Sequence, residues 1–157
     1  MTKVGFYILF VGILTTLFWS CDKNMVFEEY KEIPQSGWHK DSLVVFTIPI
    51  SDTLQNHNLY LNIRNNINYN YSNLWLFVEI NQPGEIAVTD TFELALADPS
   101  GKWLGEGFGG IKTKRTIYRS GVYFPVSGNY KINIQHGMRE EILDGITDVG
   151  FRVEKVD

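Results

Sequence analysis

Hydrophobic residues recur at every second position in five runs of the chain beyond residue 43. In residues 74–80, Leu74, Leu76 and Val78 alternate with Trp75, Phe77 and Glu79, and Ile80 continues the apolar series. The same spacing recurs in residues 44–50, 59–64, 130–135 and 149–154. Successive side chains of a strand point to opposite faces, so this period is typical of half-buried antiparallel strands. Together with the turn signals between the runs, it predicts about seven or eight strands.

Turn-forming residues separate these runs. Asn-Gln-Pro-Gly at 81–84 and Asp-Pro-Ser-Gly at 98–101 are typical of β-turns, and Asp144-Gly145 precedes the last run. Ser-Gly-Asn at 127–129 predicts a short hairpin link. Pro49 predicts an edge strand or a bulge, because proline cannot donate to a strand ladder.

Only residues 136–143 leave room for a helical turn or two. The prediction is an all-β protein, an antiparallel β-sandwich with jelly-roll topology as the favoured arrangement.

The first twenty residues differ from the rest of the chain. Lys3 precedes sixteen residues, 4–19, without a charged side chain. As a helix this run would span roughly 24 Å at about 1.5 Å per residue, whereas a hydrocarbon core is about 30 Å thick. A short apolar run behind a positive charge is typical of a cleavable signal peptide.

Residues 18–21, Phe-Trp-Ser-Cys, close the leader and resemble the lipobox of bacterial lipoproteins. That resemblance implies lipid attachment at Cys21, with cleavage directly before it, after the small Ser20. Phe18 and Trp19 depart from the usual lipobox residues. Cys21 is the only cysteine, so it cannot form an internal disulfide. The alternative is that Cys21 is a small apolar residue at the end of a membrane anchor helix.

The predicted organisation is a signal peptide over 1–20, a lipidated tether over 21–26 and a β-sandwich domain over 27–157.

Composition and motifs exclude several functions. A net charge of −4 argues against a nucleic-acid partner, which needs a basic face. His39, His57 and His136 are far apart, so no metal site is predicted. Adjacent acids such as Glu28 and Glu29 point to opposite faces of a strand, which is wrong for a glycosidase pair. We predict no cofactor and no enzymatic activity.

Residues 105–110, Gly-Glu-Gly-Phe-Gly-Gly, match the letters of the dinucleotide-binding fingerprint. That fingerprint requires a strand before it and a helix after it. Residues 111–118 carry no helical apolar stripe, so we interpret the segment as a flexible glycine loop. Such a loop can still carry a binding function.

Two groups of residues are candidates for a binding surface. The basic residues after the glycine loop are a solvated face or a contact for anionic lipid or acidic sugars. They are Lys112, Lys114, Arg115 and Arg119. Aromatic residues expected on outer strand faces could stack on sugars, although a role in the core or in protein contacts is an equal alternative. They are Tyr60, Tyr69, Tyr71 and Trp75. The predicted binding surface comprises Trp75, Tyr71, Lys112, Lys114 and Arg115.

Six segments in order along the chain resemble the GldH family, the gliding-motility lipoproteins of Bacteroidetes. They are residues 27–30, 38–41, 62–65, 71–74, 97–105 and 145–150. The resemblance implies a cell-envelope lipoprotein that is needed for gliding and for the associated secretion machinery. It implies no enzymatic activity, and Cys21 is the only functional residue that it transfers.

The leading hypothesis is therefore a non-enzymatic, acyl-anchored envelope component that binds other proteins of the motility or secretion apparatus. Asp22 and Lys23 directly follow Cys21, and no polyacidic tract is present there. This favours the outer membrane, with the domain facing the periplasm. A carbohydrate-binding module, with a glycan as its ligand, is the alternative. An envelope hydrolase ranks third.

Overall fold

The computed structural model describes residues 22–84 and 87–156, and every regular element among them is a β-strand. Two of the ten strands contain only two residues, and the other eight are long, as the alternation predicted. The strands are β1 (Met25–Glu32), β2 (Trp38–His39), β3 (Val44–Ile50), β4 (Asn56–Asn66), β5 (Asn73–Asn81), β6 (Val88–Ala95), β7 (Ile111–Tyr123), β8 (Gly128–His136), β9 (Ile142–Leu143) and β10 (Ile146–Lys155).

The helical turn considered for residues 136–143 is wrong. His136 is the last residue of β8, and Ile142 and Leu143 form β9, which pairs with β2. Both ends of the segment are therefore held in ladders. Over the described ranges, no helix is long and apolar enough to cross a membrane.

Two antiparallel four-stranded sheets pack as a sandwich, which confirms the predicted class. Sheet 1 has the order β1-β10-β4-β7, and sheet 2 has the order β3-β8-β5-β6. Numbering only the eight long strands gives the orders 1-8-3-6 and 2-7-4-5, which is jelly-roll topology.

This topology overturns the hairpin predicted at residues 127–129. β7 belongs to sheet 1 and β8 to sheet 2, so the link between them crosses from one sheet to the other. Among the long strands, only β5 and β6 are consecutive neighbours in one sheet. Short turn-rich segments in a sandwich can join two sheets as readily as two paired strands, and local sequence does not distinguish the two cases.

The core lies between the inner faces of the two sheets. Val44, Phe46, Ile48 and Ile50 of β3 are all buried while the residues between them are exposed, as alternation requires. Phe46 is at the centre, with its ring 6.0 Å from that of Phe151 and 6.4 Å from that of Phe27. Pro49 lies on β3, an edge strand of sheet 2, which confirms the prediction from its missing donor.

The strand directions define two ends of the sandwich. At the first, which we call the amino-terminal end, β1 and β4 begin and β7 and β10 finish. The loops 51–55 and 124–127 lie there, because the first leads into the start of β4 and the second follows the end of β7. At the second, which we call the distal end, lie the loops 67–72, 96–110 and 137–141.

Replacing Phe46 with alanine is expected to lower the free energy of unfolding by about 3–5 kcal/mol, because a fully buried ring leaves a cavity. Val45 is the next residue on the exposed face of β3, so Val45→Ala is a matched control with a change within about 0.5 kcal/mol. Urea unfolding of the purified chain in detergent measures both. Equal losses for the two variants would contradict the assigned core.

Candidate functional site

A groove at the distal end brings together two residues of the predicted binding surface. Tyr71 lies just before β5, and Trp75 lies on the outer face of β5. The groove has a volume of about 460 Å³. Its lining residues are Tyr71, Asn73, Trp75, Gly137, Met138, Arg139 and Glu140.

The groove combines an exposed aromatic surface with fixed polar groups. The indole-bearing residue Trp75 is 39% exposed. The Tyr71 hydroxyl donates to the Glu140 carboxylate, and this bond raises the pKa of Tyr71 and lowers the pKa of Glu140. The Asn73 amide donates to Glu93 Oε1 at 2.7 Å. The groove therefore offers an aromatic platform beside an ionised carboxylate and an amide.

Backbone contacts hold the wall of the groove against β5. The Gly137 amide donates to the Trp75 carbonyl at 2.7 Å, and the Trp75 amide donates to Met138 Sδ at 3.4 Å. A Cβ atom at Gly137 would stand 3.1 Å from the Phe77 ring. Since Phe77 is itself 42% exposed, Trp75 and Phe77 form one apolar surface on the outside of sheet 2.

The four aromatic residues expected on outer faces do not form one platform, and the expectation for Tyr69 is wrong. Tyr69 is only 4% exposed, and its hydroxyl donates to the Asn73 carbonyl at 2.9 Å. It lies in the loop 67–72, where strand alternation does not apply, and its backbone packs on Gly145. A Cβ at Gly145, which has φ +90°, would stand 2.7 Å from the Tyr69 Cα. Tyr60 is on sheet 1, opposite Ile117 of β7.

The basic residues of β7 lie on sheet 1, away from the groove of sheet 2. Alternation sends Lys112 and Lys114 to one face of β7 and Arg115 to the other. Lys112 Nζ donates to the Gly107 carbonyl at 2.8 Å. Lys114 and Arg115 line a separate small pocket beside Glu106. The predicted surface is thus divided between two regions of the molecule.

Ion pairs engage both arginines of this cluster. Arg115 Nη2 is 2.7 Å from Glu28 Oε1, and Arg119 Nη2 is 2.9 Å from Asp90 Oδ2. The Arg119 hydrogen bond lowers the pKa of Asp90. The two arginines of the basic run therefore have carboxylate partners on other strands of the sandwich.

The glycine segment 105–110 is a loop that leads into strand β7, so the helix that a dinucleotide site requires is missing. An isolated bridge joins Glu106 to Thr113 at its base. Phe108, at its tip, is fully exposed.

Sequence reasoning missed a cluster of charged residues on the outer face of sheet 1. Arg152 of β10 has a side chain only 5% exposed. Its guanidinium binds Glu28 Oε2 at 2.6 Å, Glu154 Oε1 at 2.5 Å and the carboxylate of Asp22. Arg152 lowers the pKa of Asp22 through this hydrogen bond. A buried cation requires such partners because desolvation without them is costly.

Glu28 extends this cluster to two further strands. Its Oε1 accepts from Arg115 Nη2 at 2.7 Å and from Asn62 Nδ2 at 3.1 Å. Arg115 Nε in turn donates to Asn62 Oδ1 at 3.1 Å. The cluster thus links β1, β4, β7 and β10 with Asp22, and no motif spacing could have revealed it.

The three histidines lie on three different strands, β2, β4 and β8. His57 and His136 are buried, and burial lowers the pKa of each. His136 Nε2 is 3.0 Å from the Trp38 carbonyl, an arrangement in which a neutral ring donates. Across residues 22–84 and 87–156, no group of three potential metal ligands occurs. Cys21, the predicted lipid-attachment residue, lies outside the described residues.

Comparisons with known proteins give a consistent family assignment. The sequence profile of the GldH lipoprotein family matches residues 25–153. A gliding motility lipoprotein GldH homolog of Christiangramia forsetii is 46% identical, covering 95% of this chain and 96% of that protein. Gliding motility lipoprotein GldH of Flavobacterium johnsoniae is 44% identical, covering 90% of this chain and 91% of that protein.

Similarity to solved structures is weaker. The VP2 subviral particle of infectious bursal disease virus covers 83% of this chain and 30% of the viral chain, with 10% identity and a TM-score of 0.35.

Replacing Glu28 with glutamine is expected to lower the free energy of unfolding by about 1.5–3 kcal/mol, because it weakens charged hydrogen bonds to a buried arginine. Glu29→Gln is the matched control, since the ion pair of Glu29 is with the exposed Lys31, and its effect should stay below about 1 kcal/mol. Urea unfolding measures the difference. Similar losses would show that the cluster is not important for stability.

Proposed function

We propose that this chain, which belongs to the GldH lipoprotein family, is a lipid-anchored envelope protein acting in gliding motility and the associated secretion machinery. The observation that carries the proposal is the extent of the match. The family profile spans nearly the whole sandwich, and both relatives are named for gliding motility over at least 90% of this chain.

Anchoring is assigned to Cys21, as the lipobox resemblance implies. The mature protein would begin at this residue and carry acyl chains on it, in the outer membrane with the domain facing the periplasm. The short sequence Asp22-Lys23 after the cysteine supports this orientation. Two or more acyl chains are needed for stable attachment, because a single chain gives only marginal binding.

The folded domain acts by binding rather than by catalysis. Neither the family nor the two relatives are named for an enzymatic activity. The groove beside Trp75 and Tyr71 is the proposed recognition surface, since it pairs an exposed aromatic ring with the Glu140 carboxylate. Its partner is another envelope protein of the motility or secretion apparatus.

Cys21→Ser is expected to block lipid attachment and leave a precursor that keeps its leader, because serine lacks the thiol that is alkylated. Ser20→Ala keeps a small residue at the cleavage site and is the matched control. Mass spectrometry of the amino terminus and colony spreading of a complemented deletion strain measure the outcome. A Cys21→Ser protein that is cleaved normally and restores spreading would contradict the proposal.

A carbohydrate-binding role is the second candidate, because an exposed indole beside an amide and a carboxylate also suits a sugar.

Trp75→Ala is expected to reduce cross-linking to motility or secretion proteins in native membranes by at least about tenfold, as loss of a central aromatic anchor does. Ile117→Ala removes an exposed apolar residue from the other sheet and should have no effect. Glycan binding that disappears with Trp75→Ala while cross-linking persists would favour the sugar ligand.

A further inference from the structure

The segment that follows Cys21 is bound to the sandwich from its first described residue. The Asp22 carboxylate binds the buried guanidinium of Arg152. The Asn24 amide donates to Asp22 Oδ1 at 3.3 Å, and the Lys155 amide donates to the Asn24 carbonyl at 2.8 Å. Strand β1 then begins at Met25. Asp22, the residue directly after Cys21, is therefore fixed to the domain. Only one peptide unit, about 3.8 Å between Cα atoms, separates Cys21 from it.

The loop 51–55 is connected to the same place. Lys155 Nζ is 3.3 Å from Asp52 Oδ2, and Asp52 Oδ1 accepts the Leu54 amide at 3.0 Å. The Val156 amide donates to the Asn56 carbonyl at 2.9 Å, directly after the loop. A continuous series of hydrogen bonds and ion pairs thus joins Leu54 to the segment at Asp22.

Large apolar side chains are exposed around this amino-terminal end. Leu54 is 89% exposed, and Tyr123 is 55% exposed. Met25, Val126 and Val156 are exposed on the adjoining strand ends and loop. Lys23, also exposed, supplies a positive charge beside them. Apolar side chains together with a lysine are the combination found where proteins enter the headgroup region of a bilayer.

We infer that the amino-terminal end of the sandwich lies directly on the bilayer that holds Cys21, with Leu54 and Tyr123 in the lipid interface. The inference rests on the acylation of Cys21 proposed above. The structure favours a bilayer as the partner of this exposed surface, because the acyl chains leave the protein at this end and no free linker separates them from the domain.

The orientation has a consequence for the groove. Strand β4, with 11 residues at about 3.3 Å per residue, spans roughly 35 Å between the two ends. Trp75 and the loop that carries Phe108 lie at the distal end. They therefore face away from the membrane surface, where another protein can reach them.

Single-cysteine labelling of the full acylated chain tests this orientation. Since Cys21 is the only cysteine and its thiol carries lipid, an introduced cysteine is the only free thiol. Leu54→Cys and Tyr123→Cys place an environment-sensitive fluorophore at the amino-terminal end. Phe108→Cys is the control, because Phe108 is also exposed but lies at the distal end.

The labelled proteins are reconstituted in vesicles of phosphatidylethanolamine and phosphatidylglycerol that contain nitroxide-labelled lipids. Quenching at residues 54 and 123 should exceed quenching at residue 108 by at least about threefold, because interfacial side chains enter about 5–10 Å into the headgroup region. Emission at the two amino-terminal positions should also shift to shorter wavelength when vesicles replace detergent.

Mass spectrometry of the same samples separates the possible failures. Equal quenching at all three positions on an acylated chain would overturn the orientation and leave the anchored function intact. An unmodified Cys21 would overturn both. Protection of residue 54 from an aqueous quencher without quenching by lipid would show that a second copy of the chain covers this end, which also contradicts the inference.

Discussion

Strand β10 is buried on both faces, and the rest of the structure depends on how each face is covered. Its inner face packs Val149, Phe151 and Val153 into the core between the sheets. Its outer face carries Arg152, a cation that is stable in a buried position only because carboxylates from Asp22, Glu28 and Glu154 surround it. The ion pairs therefore connect the central strand of sheet 1 to the edge strand β1 and to the chain that leads to Cys21.

The two ends of the jelly roll carry different groups of residues. The amino-terminal end carries the segment at Asp22 and an exposed leucine, while the distal end carries the groove of Trp75 and Tyr71. Every long strand of sheet 1 runs between these ends, so hydrogen-bonded strands connect them. If acyl chains at Cys21 anchor the protein, as proposed above, the groove lies at the end of the sandwich away from the lipid.

The strand pattern was predicted well where a strand has one buried face. Residues 44–50 alternate between buried and exposed positions along β3, and Pro49 marks the edge of sheet 2 because proline lacks a ladder donor. The errors fall in the connections. The link 124–127 crosses between the sheets, so no hairpin closes at Ser127–Asn129, and Tyr69 turns inward because a loop has no alternating faces. Of the predicted binding surface, Tyr71 and Trp75 share one groove, whereas Lys112, Lys114 and Arg115 lie on the other sheet.

The sequence by itself determined the features that depend on local geometry. A period of two residues follows from the backbone of a strand, and the span that residues 4–19 would have as a helix follows from the rise per residue, so both are read without knowing the fold. Only the tertiary structure decided which residues meet across the chain. Arg152 lies 130 residues from Asp22 and 124 from Glu28, and their contact arises because the jelly-roll order places β10 beside β1. Local sequence carries no record of that order, since it is set by how the two sheets pack around their common core.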